Sequence, residues 1–246
     1  MWDDARQLNA AAATLAVMAF AALLYSALAW AVRQPVFAFR EVVVTTPLAR
    51  TNGAYLEAVV RSELAGTFFT LDLAHARAAL AQVPWVRTAG LRRQWPHRLE
   101  IEIEEHVPLA RWNDSGLVNT RGEVFAADWN GDLPQFVGPA GAAAVMTVRY
   151  RDWSSELAAL GLRVHGLVRS ARGGWEIRAE HAGAPLAIEL GRDDVDARLS
   201  RLIAAYPRTL AALERAGRAV ERVDLRYRNG FAARVPGALE RPTRKT

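Results

Sequence analysis

The stretch RLEIEIEEH, residues 98–106, decides how the first half of the chain folds. Leu99, Ile101 and Ile103 alternate with Glu100, Glu102 and Glu104, the period-two pattern of a strand with one dry face and one wet face. A partner strand is expected over 85–93, with Trp95-Pro96-His97 as the turn between the two. Upstream, Asp72 caps a helix on which Leu73, Ala76, Leu80 and Val83 share a face, and Pro84 ends it. Before that, Leu56, Val59, Val60 and Leu64 recur at helical spacing over 51–64, with Gly66 as the stop. The segment FREVVVTT, residues 39–46, is rich in β-branched residues and reads as a first strand. The order β-α-α-β-β makes a compact α+β unit.

Still further upstream, residues 7–32 carry no charge and 8–32 are nearly continuous in Leu, Ala, Val, Phe, Met and Trp. A helix of that length covers about 37 Å, enough to cross a hydrocarbon layer of roughly 30 Å with some tilt. Tyr25 and Trp30 lie toward one end, where amphipathic rings favour the interface. A cleaved signal peptide is the competing reading, because Ala27-Leu28-Ala29 has the small-x-small form of a cleavage site. The apolar run is too long for a usual signal core, and Asp3 and Asp4 stand where basic residues are expected, so an uncleaved anchor is favoured. Arg6 precedes the span while Arg33 and Arg40 follow it, a distribution that gives no support for a cytoplasmic amino terminus. Alanine pairs such as Ala12/Ala16 and Ala27/Ala31 occur at the spacing of packed membrane helices, as chance alone provides in so alanine-rich a span.

Beyond Trp112 the chain reads as short strands and turns. The segments 117–120 and 123–125 flank a turn at Arg121-Gly122. Segments 161–170, 175–180 and 186–190 form a meander, with turns at 172–174 and 182–185. One long helix is expected over 193–215, with Asp193 and Asp196 spaced as a capping box, Leu199, Leu202 and Ile203 on its apolar face, and Pro207 dividing it. Segments 220–227 and 231–235 flank Asn229-Gly230, a strong hairpin signal.

Composition narrows the chemistry. With 51% hydrophobic and 23% charged residues, the chain is neither disordered nor fibrous. Zero cysteines exclude disulfides, thiolate zinc sites and cysteine nucleophiles. All basic residues but Lys245 are arginine, a skew that reads as compositional bias rather than a nucleic-acid footprint. The histidines, 75, 97, 106, 165 and 181, show no metal-ligand spacing. Glu100, Glu102 and Glu104 suit a half-solvated strand better than a carboxylate pair for glycoside chemistry. Asp193, Asp194 and Asp196 suit a helix start better than a cation site. Gly138-Pro139-Ala140-Gly141 lacks the lysine and the strand-to-helix setting of a phosphate loop, and no nucleophile elbow is present. Neither a cofactor nor a metal is expected.

A binding role remains, and the final hairpin is its most informative part. An exposed last strand offers unpaired N–H and C=O groups to a strand from a partner. Tyr227 and Phe231 would supply apolar anchoring, and Arg226 with Arg228 would clamp a carboxylate. The plainer reading puts Tyr227 and Phe231 in the core and leaves the arginines in water.

These residues carry a resemblance. Phe69-Thr70-Leu71-Asp72-Leu73, Val83-Pro84-Trp85-Val86, Arg92-Arg93-Gln94-Trp95-Pro96 and Glu105-His106-Val107-Pro108-Leu109-Ala110-Arg111-Trp112 follow one another in the first half. Asn119-Thr120-Arg121-Gly122-Glu123-Val124-Phe125, Leu190-Gly191-Arg192, Val223-Asp224-Leu225-Arg226-Tyr227 and Asn229-Gly230-Phe231-Ala232 continue the series. Blocks in this order, over nearly the whole chain, resemble the FtsQ/DivIB family of bacterial cell-division proteins. The resemblance implies a short cytoplasmic tail (1–7), a transmembrane helix (8–33), a POTRA domain (36–106), a mainly antiparallel β domain with one long helix (107–238) and a flexible tail (239–246). It implies a non-enzymatic, single-pass inner-membrane scaffold at the division septum, amino terminus in the cytoplasm and bulk in the periplasm. In that family the carboxy-terminal domain recruits FtsB and FtsL by strand addition, and the POTRA domain meets other division proteins. Carried over, Arg226, Tyr227, Asn229, Gly230 and Phe231 fall in the contact region, with Arg198 on the preceding helix as an acid-binding neighbour. A POTRA-containing secretion or outer-membrane assembly factor is the alternative.

Overall fold

Residues 5–63, 66–228 and 230–236 are described in a computed structural model of the chain. Leu64, Asn229 and the tail expected over 239–246 lie outside the described residues, as do residues 1–4. The first element, α1 (Ala5–Val32), is one uninterrupted helix. Its apolar stretch Leu8–Val32 runs for 25 residues, none of it buried, and among the described residues it is the one helix long and apolar enough to cross a membrane. The chain divides into two units, Met1–Glu105 and His106–Thr246.

In the first unit β1 (Glu41–Val44), α2 (Gly53–Glu63), α3 (Leu73–Leu80), β2 (Val86–Gln94) and β3 (Arg98–Glu105) follow in the expected order. The sheet order is β1-β3-β2, with β1 parallel and β2 antiparallel to the central β3. Leu99, Ile101 and Ile103 are fully buried against Leu56, Ala76 and Leu80 of the two helices. On the wet face, Glu100 pairs with Arg92 at 2.9 Å and Glu104 with Arg87. Asp72 caps α3, accepting from the backbone N–H of Ala74 and His75 at 2.8 and 3.1 Å. Asn52 does the same for α2, accepting from Ala54 and Tyr55 at 3.0 and 3.2 Å. At the end of β3 the Glu105 carboxylate accepts from three successive backbone N–H groups, those of Ala49, Arg50 and Thr51, which pins the loop between β1 and α2.

The second unit is built on one nine-stranded sheet. Its strands are β4 (Pro108–Trp112), β5 (Gly116–Asn119), β6 (Val124–Phe125), β7 (Gln135–Val137), β8 (Arg163–Arg169), β9 (Trp175–His181), β10 (Ala184–Gly191), β11 (Arg222–Asp224) and β12 (Ala232–Arg234). The order is β12-β11-β10-β9-β8-β7-β4-β5-β6. Five of the eight neighbouring pairs are antiparallel; β4–β7, β7–β8 and β10–β11 are parallel. The core sits under the middle of the sheet, around Phe136, Ile177 and Ile188. Trp153 meets Trp175 edge to face, centroids 5.3 Å apart.

Two details differ from expectation, the added helix and the missing cap, and one matches it. A second helix, α4 (Ala143–Ala158), is the longest of this unit, and Met146, Trp153 and Leu157 bury one face of it. The helix expected over 193–215 is divided, as Pro207 requires, into α5 (Val195–Ala205), a 3-10 turn (Tyr206–Arg208) and α6 (Leu210–Arg215). The capping box is absent: Asp194 stands at the N-cap with φ +53° and makes no side-chain cap bond. Asp196 instead accepts from Arg149 and from Trp153 Nε1, tying α5 to α4. Packing between the two helices outbids the local cap.

Candidate partner-binding site

The sheet ends at β12, and there the expected contact residues gather. β10 holds β11 in parallel register, Ile188 beside Val223 and Glu189 beside Asp224. β11 in turn holds β12 antiparallel, with Arg222, Val223 and Asp224 opposite Arg234, Ala233 and Ala232. Val223 is fully buried and fixes the hairpin to the core, whereas Ala232, Ala233 and Arg234 are all exposed. The outer edge of β12 therefore offers a short ladder of backbone donors and acceptors.

The two strands of the hairpin are shorter than the expected 220–227 and 231–235. The last pair is Asp224 with Ala232, so seven residues, 225–231, connect the strands. A Cβ placed on Gly230 would meet no atom within 4 Å. Leu225 turns back into the core after its N–H donates to the Glu189 carbonyl at 2.8 Å, which ends β11 early. Arg201 of α5 donates to the Arg228 carbonyl and holds the far side of the loop. Tyr227 is 59% exposed, and Phe231 is half-buried against the core. Of the two rings, Tyr227 is the free one.

Arg226 is held in place before any partner arrives. Its Nε and Nη2 donate to the two oxygens of Asp224 at 2.9 and 2.6 Å, and Nη2 lies 3.0 Å from Glu189 Oε2. Arg222 donates to the other oxygen of Glu189 at 2.6 Å. The hydrogen bond from Arg226 keeps the Asp224 carboxyl below its ordinary value against the opposing effect of burial, with the backbone N–H and the charge of Arg226 helping. The grip uses two of the three guanidinium nitrogens, leaving the Nη1 edge for an outside acceptor.

Arg198 of α5 joins Arg226 across Gly191. Its Nη1 donates to the Leu190 carbonyl at 2.6 Å. Gly191 has φ +77°, and a Cβ there would stand 2.6 Å from Arg198 Nη1 and 3.2 Å from Arg226 Cγ. In the sequence Gly191 stands out only within the Leu190-Gly191-Arg192 block, and its local sequence gives no hint that two arginines from different elements meet over it. The result is a cationic corner, with Tyr227 exposed on the loop and a backbone edge along β12. Among the described residues no group of three or more His, Asp or Glu side chains could hold a metal ion.

Comparison with known proteins adds two family matches. The family model described as Cell division protein FtsQ/DivIB, C-terminal, matches residues 110–226, and that described as POTRA domain, FtsQ-type, matches 37–106. A protein of Burkholderia pseudomallei named Cell division protein FtsQ is 37% identical over 96% of this chain and 95% of its own. The protein of the same name from Bordetella pertussis is 35% identical over 94% and 92%, and that from Vibrio cholerae 29% over 85% and 80%.

Proposed function

Because the chain belongs to the FtsQ/DivIB family of cell division proteins, we propose that it is a non-enzymatic, single-pass scaffold of the division machinery that recruits FtsB and FtsL through β12. In this reading the amino terminus lies in the cytoplasm, α1 crosses the inner membrane, and both folded units work in the periplasm at the septum. The POTRA unit meets other division proteins. A strand of the partner extends the sheet beside Ala232, Ala233 and Arg234, Tyr227 supplies an apolar contact, and Arg226 and Arg198 take an acidic side chain of the partner. Gly230 and Phe231 border the same contact, and Asn229 is assigned to it by the family resemblance alone.

The observation that carries the reading is the pre-positioned Arg226, gripped by Asp224 and Glu189 next to an unpaired sheet edge. An edge of three residues makes about three backbone hydrogen bonds, each contributing about 0.5–1.5 kcal/mol net. Association costs more than that, so side-chain anchors are required, and a shared membrane raises the effective concentration to roughly millimolar.

Capture of FtsB and FtsL by the full chain tests the reading. Tyr227→Ala combined with Arg226→Glu lowers capture while the circular dichroism of the chain stays unchanged. Undiminished capture by the folded double variant removes β12 and its loop from the site. A reporter active only in the periplasm, fused after Thr246, tests the topology: it gives signal in cells, and a silent reporter on intact protein overturns the orientation.

A further inference from the structure

An aromatic cluster in the first unit has no part in the function proposed above. Phe37, Phe68, Phe69 and Trp95 come from three places in the chain: the link after α1, the loop before α3, and the turn between β2 and β3. Phe37 meets Phe69 edge to face at 5.1 Å, Phe68 meets Phe69 at 5.3 Å, and Phe68 meets Trp95 at 5.3 Å with the rings nearly perpendicular. The rings order one another, yet they are not core. Trp95 is 62% exposed, Phe69 49%, and neighbouring Val36 54%. Large apolar side chains exposed side by side mark a surface that something covers.

Their position says what covers them. Thr67 donates through Oγ1 to the carbonyl of Val32, the last residue of α1, at 2.7 Å, and Thr67 immediately precedes Phe68 and Phe69. Phe68 N donates to the Phe37 carbonyl at 2.8 Å, and Arg40 N donates to the carbonyl of His97 in the Trp95 turn at 2.9 Å. The cluster is thus laced to the very end of the apolar helix. A span of about 37 Å exceeds a hydrocarbon layer of roughly 30 Å, so its last turn stands in the headgroup layer, which is about 5–7 Å deep on each side. Aromatic rings with one dry and one wet side are at home in that layer. Arg33 and Arg40 flank the rings, exposed and without a side-chain hydrogen bond or ion pair among the described residues, where a lipid phosphate would meet them.

We infer that Phe37, Phe69 and Trp95, with Arg33 beside them, form a lipid-binding face that seats the POTRA unit in the phospholipid headgroup layer. The inference rests on the reading of α1 as a membrane span. It makes α1 and the POTRA unit one membrane-oriented body, with the sheet end that carries Trp95 down and the end that carries Glu105 up.

Because the chain has no cysteine, single nitroxide labels placed through Phe69→Cys and Trp95→Cys in the full chain, one chain per nanodisc, report the environment of the face. The bilayer is phosphatidylethanolamine with a minority of phosphatidylglycerol. Leu15→Cys reports the span itself. Ala49→Cys is the water-exposed control, since its N–H is held by Glu105 at the far end of β3, about 23 Å from Arg98. Labels at 69 and 95 should be several-fold less accessible to a water-soluble nickel chelate than the label at 49, and more accessible to oxygen. A label at 15 deep in lipid with 69 and 95 as open to the chelate as 49 overturns the lipid-binding face and leaves the span intact. Protection of 69 and 95 from both reagents means protein covers them, which also overturns it. A label at 15 open to the chelate overturns the span and the face together. Two separately labelled positions guard against a local effect of either substitution.

Discussion

Arg226 grips the carboxylate of Asp224, two residues earlier in its own chain, through Nε and Nη2 at 2.9 and 2.6 Å. A bidentate grip fixes the guanidinium plane and removes side-chain entropy that binding would otherwise cost. Asp224→Asn keeps the arginine and loses the grip. The expected outcome is a fall of about tenfold in affinity for FtsB–FtsL, measured by titration calorimetry, with little change in melting temperature. Unchanged affinity would mean that Arg226 acts without being positioned.

Gly191 should be intolerant for a reason unrelated to the core. Alanine there must adopt φ near +77° and put a Cβ 2.6 Å from Arg198 Nη1. Backbone strain alone costs about 1–2 kcal/mol, and the displaced arginines cost binding as well. Gly230→Ala meets no neighbour and should leave stability unchanged. Denaturant melts of the two variants side by side separate these outcomes; equal stability would contradict the crowding at Gly191.

Asn119 is 1% exposed and fully employed. Its Oδ1 accepts from the N–H groups of Arg121 and Glu123, and its Nδ2 donates to Glu123 at 2.6 Å and meets His106 Nδ1 at 2.9 Å. Asn119→Ala leaves two backbone donors without that partner and should destabilise the second unit by about 2 kcal/mol. Thermal unfolding followed by near-ultraviolet circular dichroism is the check, and a shift of less than a degree would refute the assignment.

Glu105 gives the first unit a defined acid sensitivity. Burial by itself would raise this carboxyl, but the hydrogen bonds from Thr51, Arg50 and Ala49 together outweigh it, and the folded-state value lies below the ordinary 4.5. A carboxyl lowered by folding adds stability that is complete above its unfolded value and is lost as pH falls through the folded one. Melting temperature should therefore drop between about pH 6 and about pH 3, and Glu105→Gln should show a shallower drop over the same window. Identical pH profiles for the two proteins would remove Glu105 from the account.

Local pattern carried the first unit well. Alternation at Leu99, Ile101 and Ile103 and the cap at Asp72 act over neighbouring residues, and both are visible in a single stretch of chain. The second unit was harder because its determinants are distant. Helix α4 has Ala142 at its N-cap and so no side-chain cap, and the residues that give it a buried face, Met146, Trp153 and Leu157, stand among arginines and acids that mask the period. The parallel pairings of β7 with β4 and β8 join segments separated by the β5–β6 pair or by helix α4, and no local signal specifies them. At the hairpin, the strand expected to run to Tyr227 stops at Asp224, because Leu225 buries itself and ends the pairing first. Of the candidate contact residues, Tyr227 shows its surface position only once its loop is known. The convergence of Arg198 with Arg226 needed the fold itself.

The shortness of β12 also sets how long a visitor stays. A strand that matches only the backbone of Ala232–Arg234 finds about three bonds, and differences in affinity among related complexes appear mainly as differences in the rate of leaving. In the proposed reading, wrong strands touch this edge and depart quickly, while one that also presents an acid to Arg226 and an apolar side chain to Tyr227 dwells. On that reading the edge would act as a timer that sorts partners by residence, and its brevity would guard the protein against collecting stray strands.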